Sequence, residues 1–191
     1  MRIILEDPAS RSRIEFSPVE EPSAAPAGEP RFVVDAMLGR LARWLRLLGH
    51  DVLYDPQWDD RAIVRIAARE DRIVLTRDHG LLARKIVRRG LLVSSDHVSE
   101  QLRQVLLALA LHVDHGRIFT RCTACNTLVV AVEKATVEGR VPPYVFRSHA
   151  RFVRCPGCGR IYWGGTHQGL ALRRLEQMLA ERPADGGLES A

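Results

Sequence analysis

The chain has 191 residues, 46% of them hydrophobic and 27% charged, with four cysteines and a net charge of +5. This suits a globular protein with one full domain and a small appendage, and no apolar run nears the roughly 18 residues of a membrane span. A pI near 9.4 favours a polyanionic partner, nucleic acid first.

The N-terminus, MRIILEDPAS, carries acids where a secretory leader needs its apolar centre, so a cytoplasmic protein is expected. Residues 1–30 hold two β-prone patches, Arg2–Leu5 and Arg13–Phe16. Prolines 18, 22, 26 and 30 then describe an extended, flexible linker. From 31 to 115 strands and helices alternate. Phe32–Val34 is an apolar run, and Leu38, Leu41, Leu45 and Leu48 form the stripe of an amphipathic helix that Gly49 ends. A second strand, Val52–Tyr54, precedes a helix capped by Asp59 or Asp60, with Ile63, Ile66 and Ala67 inward. Ile73–Thr76 is the third strand, followed by a helix with Leu82 and Ile86. Leu91–Val93 is the fourth, followed by a helix over 98–111. Such alternation predicts a parallel sheet with helices on both faces, a three-layer α/β/α domain.

From 116 to 167 the pattern is different. A strand Ile118–Thr120 is predicted before Cys122 and Cys125, and another, Phe152–Val153, before Cys155 and Cys158, with short strands Leu128–Val132 and Ile161–Trp163 after each pair. Val141-Pro142-Pro143 reads as a rigid elbow. Residues 168–191 begin as a helix with Leu172, Leu175 and Leu179 on one face and end in a tail expected to be disordered.

Asp35, Asp60, Asp78 and Asp96 each follow one of the four apolar strands. In a parallel sheet all four emerge at the carboxyl edge, where open α/β sheets bind ligands. Gathered carboxylates repel one another unless a cation neutralises them, and Mg²⁺ or Mn²⁺ does so through oxygen ligands. Read one at a time, each Asp is equally a helix cap. Asp60 is assigned to the edge and its neighbour Asp59 to the cap. Arg40, Arg43 and Arg46 recur on the first helix, and Arg77 adjoins Asp78; such donors suit phosphates.

Two Cys-x-x-Cys pairs, each in a turn between strands, supply the four thiolates of one tetrahedral Zn²⁺. With no ligand position open, that zinc is structural. Arg147, Arg151, Arg154 and Arg160 alternate with Tyr144, Phe146, Tyr162 and Trp163, a mixture suited to single-stranded RNA or, for the aromatics, to a small core.

The stretch FVVDAMLGRLARWLRLLGHDVLYD, the segments LTRDHGLL and SSDHVSEQL, and the later RCTACNTLV, VPPYVF and FVRCPGCGRIYWGGTH resemble the PIN-like ribonuclease family known from the Mut-seven carboxy-terminal RNase domain. The resemblance spans roughly residues 31–167. It implies a PIN-type α/β/α sandwich with a zinc-ribbon tail, and Mg²⁺- or Mn²⁺-dependent cleavage of RNA. Matched by motif, Asp35, Asp78 and Asp96 are the catalytic acids, with Asp60 a fourth. The expected reaction is hydrolysis of an RNA phosphodiester, the ribbon aiding substrate binding. The rival expectation is a non-catalytic RNA-binding or adaptor protein whose acids are caps.

Overall fold

A computed structural model describes residues 29–180. The two N-terminal β-prone patches, most of the proline-rich linker and the end of the tail lie outside the described residues. Strands β1 (Phe32–Val34), β2 (Val52–Leu53), β3 (Ile73–Thr76) and β4 (Gly90–Leu92) form one parallel sheet in the order β2-β1-β3-β4. Phe32 pairs with Val52 on one side and Ile73 on the other, and Val74 pairs with Gly90.

Successive side chains of a strand point to opposite faces, and here each face has its own core. On one, Phe32, Val34 and Leu75 meet Leu38, Leu41 and Leu45 of the α1 region (α1, Gly39–Leu47) and Leu102 and Val105 of α4 (Val98–Ala108). On the other, Val33 and Val74 meet Ile63, Val64 and Ala67 of α2 (Asp60–Glu70), with Leu81 of α3 (His79–Leu82). Burying each of the Val, Leu, Ile and Phe side chains among them contributes about 1.5–3 kcal/mol. The three-layer α/β/α architecture expected from the alternation is therefore present.

Gly49 takes φ +89 after α1, and a Cβ there would meet the Arg117 carbonyl at 2.6 Å. Glycine is required on both counts. The helix expected through Leu82 and Ile86 is only a single turn: Leu81 is the fully buried member and Ile86 is exposed. The chain must turn back early to pair Gly90 with Val74, and the β-branched Ile86-Val87 pair gives a longer helix little support.

The remaining strands, β5 (Val130–Val132), β6 (Phe152–Arg154) and β7 (Ile161–Trp163), form an antiparallel sheet. The strand expected at Ile118–Thr120 does not form. Phe119 sits at φ +65 and donates its N–H to the Leu47 carbonyl, so this segment docks on the end of α1 instead of pairing with a strand. Pro143 opens a helix, α5 (Pro143–Ser148), where an elbow was expected; its Val145 and Phe146 pack with Val137, Val141, Phe152 and Trp163 into a second small core. The last helix, α6 (Thr166–Ala180), returns to the α/β domain, where Leu175 and Met178 enter the core beside α4.

Candidate active-site edge and metal centre

All four acids stand beyond the carboxyl ends of the parallel strands or at the start of the following helix. Asp35 follows β1 directly. Its Oδ2 accepts a hydrogen bond from the Thr76 hydroxyl at 2.6 Å, and the same hydroxyl accepts the Asp78 amide at 2.9 Å. Thr76 is fully buried at the end of β3, so this one side chain fixes Asp35 against the start of α3. Asp78 also caps α3, accepting from the Gly80 amide. Asp59 caps α2 through the Ala62 amide, and Asp60, next to it, pairs with Arg84 at 2.6 Å. Asp96 is exposed and its carboxylate is held by Arg77.

The structure thus ties Asp35 to Asp78 and places Asp60 and Asp96 on arginines at the same edge. Among the described residues no three carboxylates bring oxygens together as a closed ligand set. Mg²⁺ does not need one: it is commonly held by one or two carboxylates plus waters and substrate phosphates. Asp35 and Asp78 each bring a carboxylate to this edge, Thr76 bonding the carboxylate of the first and the amide of the second.

The four cysteines are a different case. Their sulfurs all lie within 4.8 Å of one another, with Cys122 3.6 Å from Cys158 and Cys125 3.3 Å from Cys155. Tetrahedral zinc with bonds of about 2.3 Å spaces its sulfurs about 3.8 Å apart, so the quartet fits the ion. Burial pushes the Cys155 thiol up to about 12. Burial also works against ionisation of Cys125, but hydrogen bonds with Thr127 and the neighbouring cysteines outweigh it and bring that thiol down to about 6. The Tyr162 hydroxyl lies 3.0 Å from Cys122 Sγ, the kind of contact that orients a metal ligand.

The first cysteine turn is bolted to the α/β domain. Asn126, at φ +73, accepts the Val52 amide at 2.9 Å and donates to Asp51 at 2.8 Å. Asp51 also pairs with the buried Arg72; burial raises its carboxyl, and these hydrogen bonds bring it below the usual range. Arg46 was expected on a basic helix face with Arg40 and Arg43. It is buried instead, donating to the Val52, Thr123 and Ala124 carbonyls. Arg40 and Arg43 are exposed. Of the ribbon aromatics, Phe146, Tyr162 and Trp163 pack inward while Tyr144 is 65% exposed. Thr76, Asn126 and Tyr162 had not been singled out for these roles from the sequence.

An α/β/α sheet with acids at its strand ends, joined to a ribbon whose four clustered thiols suit zinc, defines the class of domain. The chain belongs to the Mut7-C RNAse domain family, which matches residues 30–177. It is also similar to the human exonuclease mut-7 homolog, at 40% identity over 106 residues, covering 53% of this chain. The matched part spans only 12% of that human protein's length. No solved structure matches. Among the described residues no helix is long and apolar enough to cross a membrane.

Proposed function

We propose that the chain is a Mg²⁺- or Mn²⁺-dependent ribonuclease of the PIN type, hydrolysing phosphodiester bonds of single-stranded or structured RNA, with the ribbon aiding substrate binding. The observation that carries this is the Thr76 bridge between Asp35 and Asp78 at the strand-end edge of a Mut7-C RNAse domain. When bound there, the ion supplies charge stabilisation for the phosphate and a lowered pKa for water.

The chain's own residues do the rest. Asp35 and Asp78 offer fixed carboxylate oxygens. Asp96 and Asp60, now on Arg77 and Arg84, are further acids that substrate phosphates can release by drawing the arginines away. Exposed ion pairs of this kind are worth about 0–1 kcal/mol, so the exchange is cheap. Arg40, Arg43 and Arg77 are the phosphate contacts. Four unpaired cysteines suited to zinc fit a reducing, cytoplasmic setting.

The same two ion pairs favour a second reading, an RNA-binding protein whose acids are structural. Purified protein on labelled RNA with Mg²⁺, Mn²⁺ or neither separates the two. Metal-dependent cleavage lost in Asp35→Asn is the expected result. Cleavage that survives Asp35→Asn, or none with either ion, sinks the nuclease reading.

A further inference from the structure

Between the first cysteine turn and the acidic edge lies a cleft of about 530 Å³, inside the range of about 300–1,000 Å³ usual for ligand sites. Arg43 and Arg46 line it from α1, Tyr54 and Asp55 from the β2–α2 loop, Thr123 from the first cysteine turn and Arg160 from beyond the second. Arg46 is only 3% exposed. Its Nε and Nη1 are committed to three carbonyls, and its Nη2 has no acceptor among the described residues.

The charges there are unbalanced. Among the described residues no carboxylate pairs with Arg43, Arg46 or Arg160. Asp55 offsets one charge, with Oδ1 already accepting the Gln57 amide. Arg43 and Arg160 remain, and like charges converging on one cleft are unfavourable until an anion joins them. The cleft also borders the candidate active edge: the Tyr54 hydroxyl donates at 3.0 Å to the carbonyl of Ala36, next to Asp35.

We propose that this cleft holds a backbone phosphate of the RNA strand, clamped by Arg43 from the helix and Arg160 from the ribbon, with Arg46 Nη2 at its base. The phosphate is a neighbour of the one cleaved, so the ribbon sets how the strand enters. This deepens the ribonuclease reading and rests on it.

The test reads binding, not cleavage. Affinity for a short labelled oligouridylate, without added divalent ion, is followed against salt for the parent, Arg160→Ala, Arg160→Lys and the Arg43→Ala/Arg160→Ala double variant. The double variant should flatten the slope of log K on log salt by about 0.7, the value for one single-strand phosphate. It should weaken binding about tenfold, as loss of a charge-assisted hydrogen bond does, while Arg160→Lys stays near the parent. Parental slope and affinity in the double variant, with zinc content and melting unchanged, overturn the proposal. That result would leave metal-dependent cleavage by the parent standing, so the two readings fail separately.

Should the double variant lose zinc, Arg160→Glu decides alone: it must weaken binding more than Arg160→Ala, and equal affinity overturns the clamp. Inorganic phosphate is the second probe. If it displaces RNA no better than chloride at equal ionic strength, the strand assignment is supported. Displacement specific to phosphate and lost in the double variant assigns the cleft to free phosphate and overturns it.

Discussion

The Thr76 hydroxyl stands 2.6 Å from Asp35 Oδ2 and 2.9 Å from the Asp78 amide, donating to one and accepting from the other. A fully buried hydroxyl with both roles filled leaves Asp35 one favourable orientation. Thr76→Val keeps the shape and removes both bonds. Outer partners of this kind typically change metal affinity or activity about 10–100-fold when removed. The expected outcome is that loss in Mn²⁺ titrations of cleavage, with Thr76→Ser close to the parent. Stability should also fall by about 1 kcal/mol because the Asp78 amide loses its acceptor. A Thr76→Val protein that melts lower yet cleaves normally at every Mn²⁺ level would show Thr76 to be structural only.

Zinc removal should be felt beyond the ribbon. Asn126, next to Cys125 in the first cysteine turn, accepts the Val52 amide of β2, and Arg46 ties that turn to the Val52 carbonyl. Without metal the turn loses its fixed shape and β2 loses its outer partner. Hydrogen exchange on the chelated protein, or on Cys155→Ser, should show faster exchange at Val52 as well as at β5–β7. Exchange confined to the ribbon would mean that the docking survives without the ion. Freshly purified, reduced protein without zinc would remove the basis of this prediction altogether.

The parallel sheet was legible because its strands are short, mostly apolar and each followed within a few residues by an acid, a pattern that Phe32–Val34 and Ile73–Thr76 display most clearly. Gly49 marked the end of α1 for the reason sequence suggests, a positive φ. Arg46 was misplaced because steps of three residues look like one helix face. Each such step turns about 60° short of a full circle, so the third arginine rotates toward the leucine stripe. That drift was the available signal. Pro142-Pro143 read as an elbow, although proline at N1 equally starts a helix, as Pro143 does. The leucines of α6 announced a buried face without naming α4 as its cover, because periodicity carries no information about partners. Thr76 had no local signal at all: its role exists only once β1 and β3 lie side by side.

Asp96 should matter less than Asp35. Its side chain is 77% exposed and paired with Arg77, whereas Asp35 is held from below by Thr76. Asp96→Asn is expected to leave the melting temperature unchanged, since exposed substitutions usually lie within about 0.5 kcal/mol. It should raise the Mn²⁺ concentration needed for cleavage about tenfold, at the low end for a metal's supporting groups. Asp35→Asn should abolish cleavage at any Mn²⁺ concentration. Equal defects in the two variants would make Asp96 a full ligand.

His50 gives the fold an acid limit. It is 6% exposed, its ring packs edge-on against Phe32, and neither ring nitrogen finds a hydrogen-bond partner among the described residues. Burial, then the charges of Arg117 and Arg121, push it down to about 4 from an ordinary value near 6.5. Between those values the unfolded chain binds a proton that the folded chain refuses, so stability rises with pH across the window and is lost on going down it. Displacement from near 6.5 to about 4 corresponds to roughly 3 kcal/mol lost by pH 4. The depressed carboxyls of Asp51 and Glu70 add losses only once pH reaches the ordinary carboxylate range, about 4 and below. Urea melts from pH 7 to 4 should show this decline in the parent and a flatter profile in His50→Phe. An identical slope in both proteins would mean that His50 takes its proton as readily folded as unfolded.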